Sequence, residues 1–411
     1  MVKDVLLYKW PIAVIPERRM RSPEVRAAVN ETVAALTAWS IGVASEGVGP
    51  EMGFMGESLA GTDREGLIGQ PLAFGWRACY FAFKGDLKAR HEVHCLRRYY
   101  QCNRFCDRCL ALQGSKCPTP MDFRNISDDA AWPLTCIDHS TYLHLDQECL
   151  TPWLKVPGFN FLSITYDYMH NFYLGTARDL VGSAIKVFVD HGLVGDPGTK
   201  SMDEMLCLVH RRMRSVCREN GVPLPCKPNL TMANIGGEDG YFSMGTRFKA
   251  AHIKTMVWWV AKESERLAAP SNEPLLNVLA VCAYGLQRCT EVMDLASVVL
   301  TKEEAEEASE SLHLHLRCYF WLASYFYLRR KMLFKVRCKT HYNFHIAQDI
   351  KNYQLNAALF HTFQEESFLG KLKCIAVRCH GKTCTKRLFQ RYLLCLAVFL
   401  EDLGRTTRKV G

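Results

Sequence analysis

Between about residue 87 and residue 160 the chain shows neither helical nor strand periodicity, yet it is rich in cysteine and proline. A stretch of that kind builds little apolar core of its own. It is where a bound metal would stabilise most. Cys102, Cys106 and Cys109 fall within Cys-Asn-Arg-Phe-Cys-Asp-Arg-Cys, Cys117 follows, and Cys136-Ile-Asp-His139 comes later. Cys106-x-x-Cys109 with Cys136-x-x-His139 makes two ligand pairs at zinc spacing. The 26-residue gap between the pairs is long, and His91, His94, Cys95 and Cys102 compete as ligands. A structural Zn²⁺ and a set of buried reduced thiols both fit these residues.

Disulfides are not the expectation. The 19 cysteines are an odd number, and the opening Met-Val-Lys-Asp-Val-Leu-Leu-Tyr-Lys-Trp has no apolar run long enough for a secretory signal. The cysteines therefore read as thiols or metal ligands in a reducing, intracellular setting. No segment has the 18 or so uncharged apolar residues that a membrane span needs. Phe320 to Leu328 is very apolar but runs into Arg329, Arg330 and Lys331, as a buried helix would.

The flanking regions are more regular. Leu6 to Ile15 and Leu72 to Phe83 read as strands, the second one buried and ending at Lys84-Gly85-Asp86. Ser22-Pro23-Glu24 starts a helix, and Gly42 to Gly69, with eight glycines, reads as a long loop. From Tyr168 onward the pattern is helical. Segments are predicted over 168–191, 202–220, 247–267 and 274–295, then from a capping box at Thr301-Lys-Glu-Glu304 to about Phe334. Shorter helices are predicted over 341–353, 358–377 and 385–402. Four segments follow: 1–90, a partial α/β core; 91–165, a Cys/His-rich loop subdomain; 166–340, a helical insertion; and 341–411, basic helices completing the core.

Net charge is +9 and uneven. From Tyr325 to Cys395 there are 14 Lys or Arg against Asp349, Glu365 and Glu366. Lys371, Lys373, Arg378, Lys382, Lys386 and Arg387 make this stretch suit a polyanion, or simply a solvated basic face. Three acidic constellations stand out. Asp86 follows an apolar run, where nucleases place a metal ligand and where turn-forming aspartates are also common. Asp167 and His170 share one side of a helix start, where the residues alone favour a cap with a packed histidine over a site. Glu365 and Glu366 precede Lys371 and Lys373 on a helix, as a metal-binding acid beside a phosphate backbone or as a salt-bridged surface.

At these blocks the sequence resembles a known family. Asp-x-Met-His-Asn-x-x-Leu-Gly-Thr at 167–176 is similar to the D-x-x-H block of CACTA (En/Spm-like) class DNA transposases. Gly85-Asp86-Leu-Lys-Ala with the downstream Cys106-x-x-Cys109 is similar to that family's Asp-(Leu/Phe)-Pro-Ala block, except that Lys88 replaces its proline. His341-Tyr-Asn-Phe-His345 and Phe363 to Lys373 look like its His-rich and acidic-helix blocks. The order matches from about residue 72 to 402, with 200–330 matching only as helical filler.

The resemblance implies an α/β fold. It would be an RNase H-like mixed sheet, interrupted by a large all-helical insertion and the Cys/His-rich loop subdomain. It also implies a DDE nuclease and strand-transferase, in which three acids hold two Mg²⁺ (or Mn²⁺) ions at a phosphodiester. Asp86 would be the second acid, Glu366 the third with Glu365 as the alternative, and Asp167 with His170 an accessory pair. DNA at transposon ends would be the partner, a homo-oligomer remains open, and the nucleus would be the location. The first acid belongs upstream of a strand like Leu6 to Ile15, where Asp4 is the only acid nearby. The expectation is therefore an incomplete catalytic set, and the alternative is a DNA-binding or interaction protein that does not cut.

Overall fold

The structure is a computed structural model that describes residues 22–114, 119–127, 129–145, 150–192, 194–196, 198–223, 229–236, 240–380 and 382–408. Its helices, in chain order, are α1 (Pro23–Glu46), α2 (Leu87–Val93), α3 (His139–Leu143), α4 (Arg178–Asp190), α5 (Met202–Glu219), α6 (Met232–Ile235), α7 (Ala250–Ala268), α8 (Pro274–Leu295), α9 (Lys302–Leu328), α10 (Cys338–Tyr353), α11 (Phe363–Ala376) and α12 (Cys384–Arg408). A π-helical segment, Met169–Ala177, runs directly into α4.

The chain forms two interleaved units. One comprises Met1–Arg97, Asp138–Thr165 and Thr362–Gly411; the other comprises Arg98–Ile137 and Tyr166–His361.

The helices begin where local chemistry satisfies their free N–H groups. Ser201 caps α5 by accepting from Glu204 N at 3.3 Å, while the Glu204 carboxylate accepts from Ser201 N at 2.7 Å. Thr301 and Glu304 do the same for α9, at 3.1 and 2.9 Å. These reciprocal pairs each satisfy two donors that would otherwise lack partners. Pro274 stands at the first turn of α8, where its missing N–H costs nothing.

In the second unit α7, α8 and α9 pack side by side. Trp259, Leu279, Cys282, Leu286, Leu312 and Tyr319 are fully buried among them. Gly285 lets α8 approach α9 closely, since a Cβ there would lie 2.6 Å from the Ser311 carbonyl. The first unit holds α1, whose Arg26 pairs with Glu92 at 3.1 Å and whose Glu31 pairs with Lys155 at 2.9 Å. It also holds the α11–α12 hairpin, closed on Phe368, Leu372, Leu388, Tyr392 and Leu396.

The structure corrects the expected RNase H-like mixed sheet. Helix accounts for 60% and strand for 4%, with no sheet among the described residues. Pairing is confined to isolated bridges, such as Phe83 with Ile164. The run Leu72 to Phe83 is not a buried strand. Ala73 and Phe74 adopt positive φ and Ala73–Gly75 form a 3₁₀ turn, which interrupts the extended backbone at its start. Phe74 is fully exposed, and Trp76 and Phe81 are 79% and 58% exposed. An apolar run has the composition of a core strand, but a sheet also needs ladder partners along its length. Leu6 to Ile15 and Asp4 lie outside the described residues. A smaller correction concerns Gly42, which sits inside α1 rather than opening a loop; the helix ends at Gly47, in the left-handed conformation.

Candidate metal centre

Cys106, Cys109, His341 and His345 come together in the second unit, all buried, with ligand atoms within 4.8 Å of one another. Cys106 Sγ lies 3.3 Å from His345 Nε2, Cys109 Sγ lies 3.3 Å from His341 Nε2, and the two Nε2 atoms are 3.1 Å apart. Tetrahedral zinc at ordinary bond lengths would set sulfur–nitrogen edges of about 3.6 Å and a nitrogen–nitrogen edge of about 3.4 Å. The observed edges lie within a few tenths of an ångström of these, so the group could hold a structural metal such as zinc. No other group of three or more Cys, His, Asp or Glu side chains is so placed among the described residues.

Local structure explains how the four converge. His341 and His345 are four residues apart on α10, so they share a face one turn apart. The cysteine loop is tied to that helix. The Tyr342 hydroxyl donates to the Phe105 carbonyl at 3.2 Å, and the Arg108 guanidinium binds Asp349 at 2.7 Å. Arg98 holds the loop from its other side, donating to the Cys109 carbonyl at 3.1 Å. Arg108 N donates to Cys106 Sγ at 3.4 Å. Aromatic rings wall the group off from water: Trp132 and Phe105 lie 4.5 and 5.0 Å from the His341 ring, and Tyr166 stacks on Tyr342 at 4.8 Å.

The electrostatics suit a cation. Burial pushes the Cys106 thiol up, but the hydrogen bond with Cys109 and the neighbouring His345 and His341 outweigh it, and it lies well below the ordinary thiol range. Burial disfavours the His345 imidazolium, yet Cys106 and Cys136 beside it raise it to about 10. The same contacts that favour the Cys106 thiolate favour the proton on His345. A divalent cation would take the place of the His345 proton, because the ligating forms are thiolate and neutral imidazole.

The second ligand pair expected from the sequence is placed differently. Cys136 adjoins the group; its hydrogen bond with Cys109 leads the effects that lower its thiol to about 5. His139 begins α3 in the other unit, where its Nδ1 accepts from Phe161 N at 3.1 Å. His94 is fully buried against Phe83 and Thr151, and burial lowers it to about 3. The sequence showed the two histidines at a zinc spacing, H-x-x-x-H, but not their proximity to the cysteine pair. The motif stood 232 residues from Cys109, inside a block noted only for its resemblance.

The acidic candidates form no such group among the described residues. Asp86 caps α2, accepting from Ala89 N at 2.7 Å. Glu365 pairs with Lys84 at 2.9 Å, and Glu366 is exposed in the first turn of α11. Asp167, 1% exposed, accepts from Met169 N at 2.9 Å and His170 N at 3.4 Å, and its carboxylate also meets the His170 ring. Asp86, Glu365 and Glu366 belong to the first unit, Asp167 and His170 to the second. Lys373, Arg378, Lys382, Lys386 and Arg387 are exposed and Lys371 is half-buried on the α11–α12 hairpin and its turn.

The 167–176 block packs on the histidine helix. Asn343 reaches Thr176 and the Asn171 carbonyl, and Lys339 Nζ donates to the Leu174 carbonyl at 3.2 Å. The cysteine pair, the 167–176 block and the 341–345 block therefore meet within the second unit. No helix among the described residues is long and apolar enough to cross a membrane. Comparison with protein families, with curated proteins and with solved structures gives no match to this chain.

Proposed function

We propose that this chain is a zinc-stapled DNA-binding protein, related through its motif blocks to CACTA-class transposases, that holds DNA without cutting it. The buried Cys106/Cys109/His341/His345 group carries the reading. Zinc there would do structural work, since four protein ligands leave no open position for a reacting water. Its role would be to join the cysteine loop to α10 and so to the 167–176 block. The exposed cations of α11 and α12 supply the sequence-independent attraction for phosphate that dominates DNA affinity. DNA as partner makes the nucleus the site of action.

A nuclease would instead need carboxylates shared between two ions about 4 Å apart. Asp86 and Glu365 are engaged in a helix cap and an ion pair, which supports binding over cleavage. The test uses the full chain purified without chelator. Metal analysis should give one zinc per chain. Duplex DNA should be retained with an affinity that falls steeply as salt rises, and supercoiled DNA should stay intact with Mg²⁺ or Mn²⁺. Cutting that Asp86→Ala and Glu366→Ala both abolish would overturn the proposal in favour of a nuclease.

A further inference from the structure

A cleft of about 530 Å³ opens in the second unit beside the start of α4 and the segment that leads into α7. Arg178, Arg247 and Arg337 line it together with Asn234, Ser243 and Thr246, and no carboxylate among the described residues does. The three arginines are placed differently. Arg178 is half-buried and donates through Nε to the Met244 carbonyl at 2.8 Å, a neutral acceptor that leaves its charge in place. Arg337 forks onto Asp179 at 2.8 and 3.1 Å. Arg247 is exposed and forms no ion pair among the described residues. Among the described residues Asp179 is the single carboxylate bound by this set of three guanidinium groups.

Planar guanidinium groups around a polar cleft match the geometry of phosphate oxygens, which accept paired N–H donors. We propose that this cleft binds a phosphate group, the phosphodiester backbone of the polynucleotide held by the protein; this rests on the DNA-binding reading above. Arg337 caps α10, four residues before His341 and about 6 Å away along the helix axis. The metal centre therefore fixes one wall of the cleft, and it would position the backbone by the same contacts that hold α10.

The test compares the full chain with Arg247→Glu, which changes an exposed side chain outside the core, and with Arg247→Lys. Zinc content and helical circular dichroism confirm that each variant is folded. Binding of a labelled 30-base-pair duplex is followed by anisotropy over a salt series, and melting is followed with sodium phosphate against sodium chloride at matched ionic strength. The expected result is duplex binding roughly ten-fold weaker in Arg247→Glu. Its salt slope should fall by about one, as for one lost phosphate contact. Arg247→Lys should keep the slope but bind less tightly, because the fork is lost.

Unchanged affinity and slope in Arg247→Glu, with the wild type still binding duplex, would overturn the cleft and leave the DNA reading intact. Stabilisation by phosphate that Arg247→Glu abolishes, without duplex binding, would keep the phosphate site, assign it to free phosphate or a nucleotide, and overturn the DNA reading. No response to duplex or phosphate would overturn both.

Discussion

The cysteine–histidine group of the second unit and the carboxylates of the first began with similar standing, each a set of residue types able to hold metal. The structure treats them differently. Cys106, Cys109, His341 and His345 are at most 2% exposed, and their ligand atoms face one another. Asp86, Glu365 and Glu366 are half-buried or exposed, and the first two are already occupied by a helix N-terminus and a lysine. Residue type alone did not separate the two. Burial and convergence did: four ligand atoms removed from water are turned toward one another, whereas a carboxylate that caps a helix is satisfied where it stands.

The largest effect should come from removing a metal ligand. If zinc occupies the group, Cys106→Ser or His345→Ala should abolish its binding and destabilise the second unit by more than about 4 kcal/mol, the range associated with loss of a structural metal. Zinc release measured with a chromophoric chelator, beside thermal melting, checks both effects. Zinc retained at full occupancy in Cys106→Ser would break the comparison at its stronger end.

Next comes the brace between loop and helix. Asp349→Ala leaves Arg108, whose side chain is 7% exposed, without its carboxylate. Stranding one member of a buried pair costs about 3–5 kcal/mol; since Asp349 is 27% exposed, about 2–3 kcal/mol is expected after that discount. Zinc affinity should drop by roughly ten-fold, as for other groups that orient ligands. Denaturant unfolding and chelator competition read the two effects separately. A stability loss with unchanged zinc affinity would mean that Arg108 holds the loop without shaping the metal site.

These expectations draw on features the sequence displayed unevenly. Helix positions were legible because the chemistry is local: Ser201 with Glu204, Thr301 with Glu304, and Pro274 each mark a start within one turn. The Cys106-x-x-Cys109 pair was legible for the same reason. Its partners were not, because proximity to His341 depends on Tyr342 meeting Phe105 and Arg108 meeting Asp349, contacts between residues more than 230 positions apart. The π-helical turn at Met169–Ala177 was hidden too; its period resembles an α-helix until Gly175 departs from helical φ and ψ. The missing sheet has the opposite cause. Leu72 to Phe83 has the composition of a core strand, and composition is silent on whether partner strands line up beside it.

At the weaker end of the comparison, Asp86 offers a finer test. As a cap it needs only an acceptor oxygen, so Asp86→Asn should match the wild type in stability, while Asp86→Ala should lose about 1 kcal/mol. Neither should change zinc content. A metal-binding carboxylate would behave otherwise, since the amide of Asp86→Asn cannot supply its charge. Equal losses in the two variants would therefore point to charge rather than capping.

Glu365→Gln should also have a small effect. The Lys84–Glu365 pair keeps about a quarter of each side chain in water, and pairs so placed contribute at most about 1 kcal/mol, less at high salt. A melting shift that shrinks when salt rises from low to physiological concentration would identify an ordinary surface ion pair. A larger shift, insensitive to chloride but sensitive to Mg²⁺ or Mn²⁺, would show that Glu365 answers to a divalent cation. That result would give the first unit a metal site of its own and dissolve the contrast drawn between the two regions.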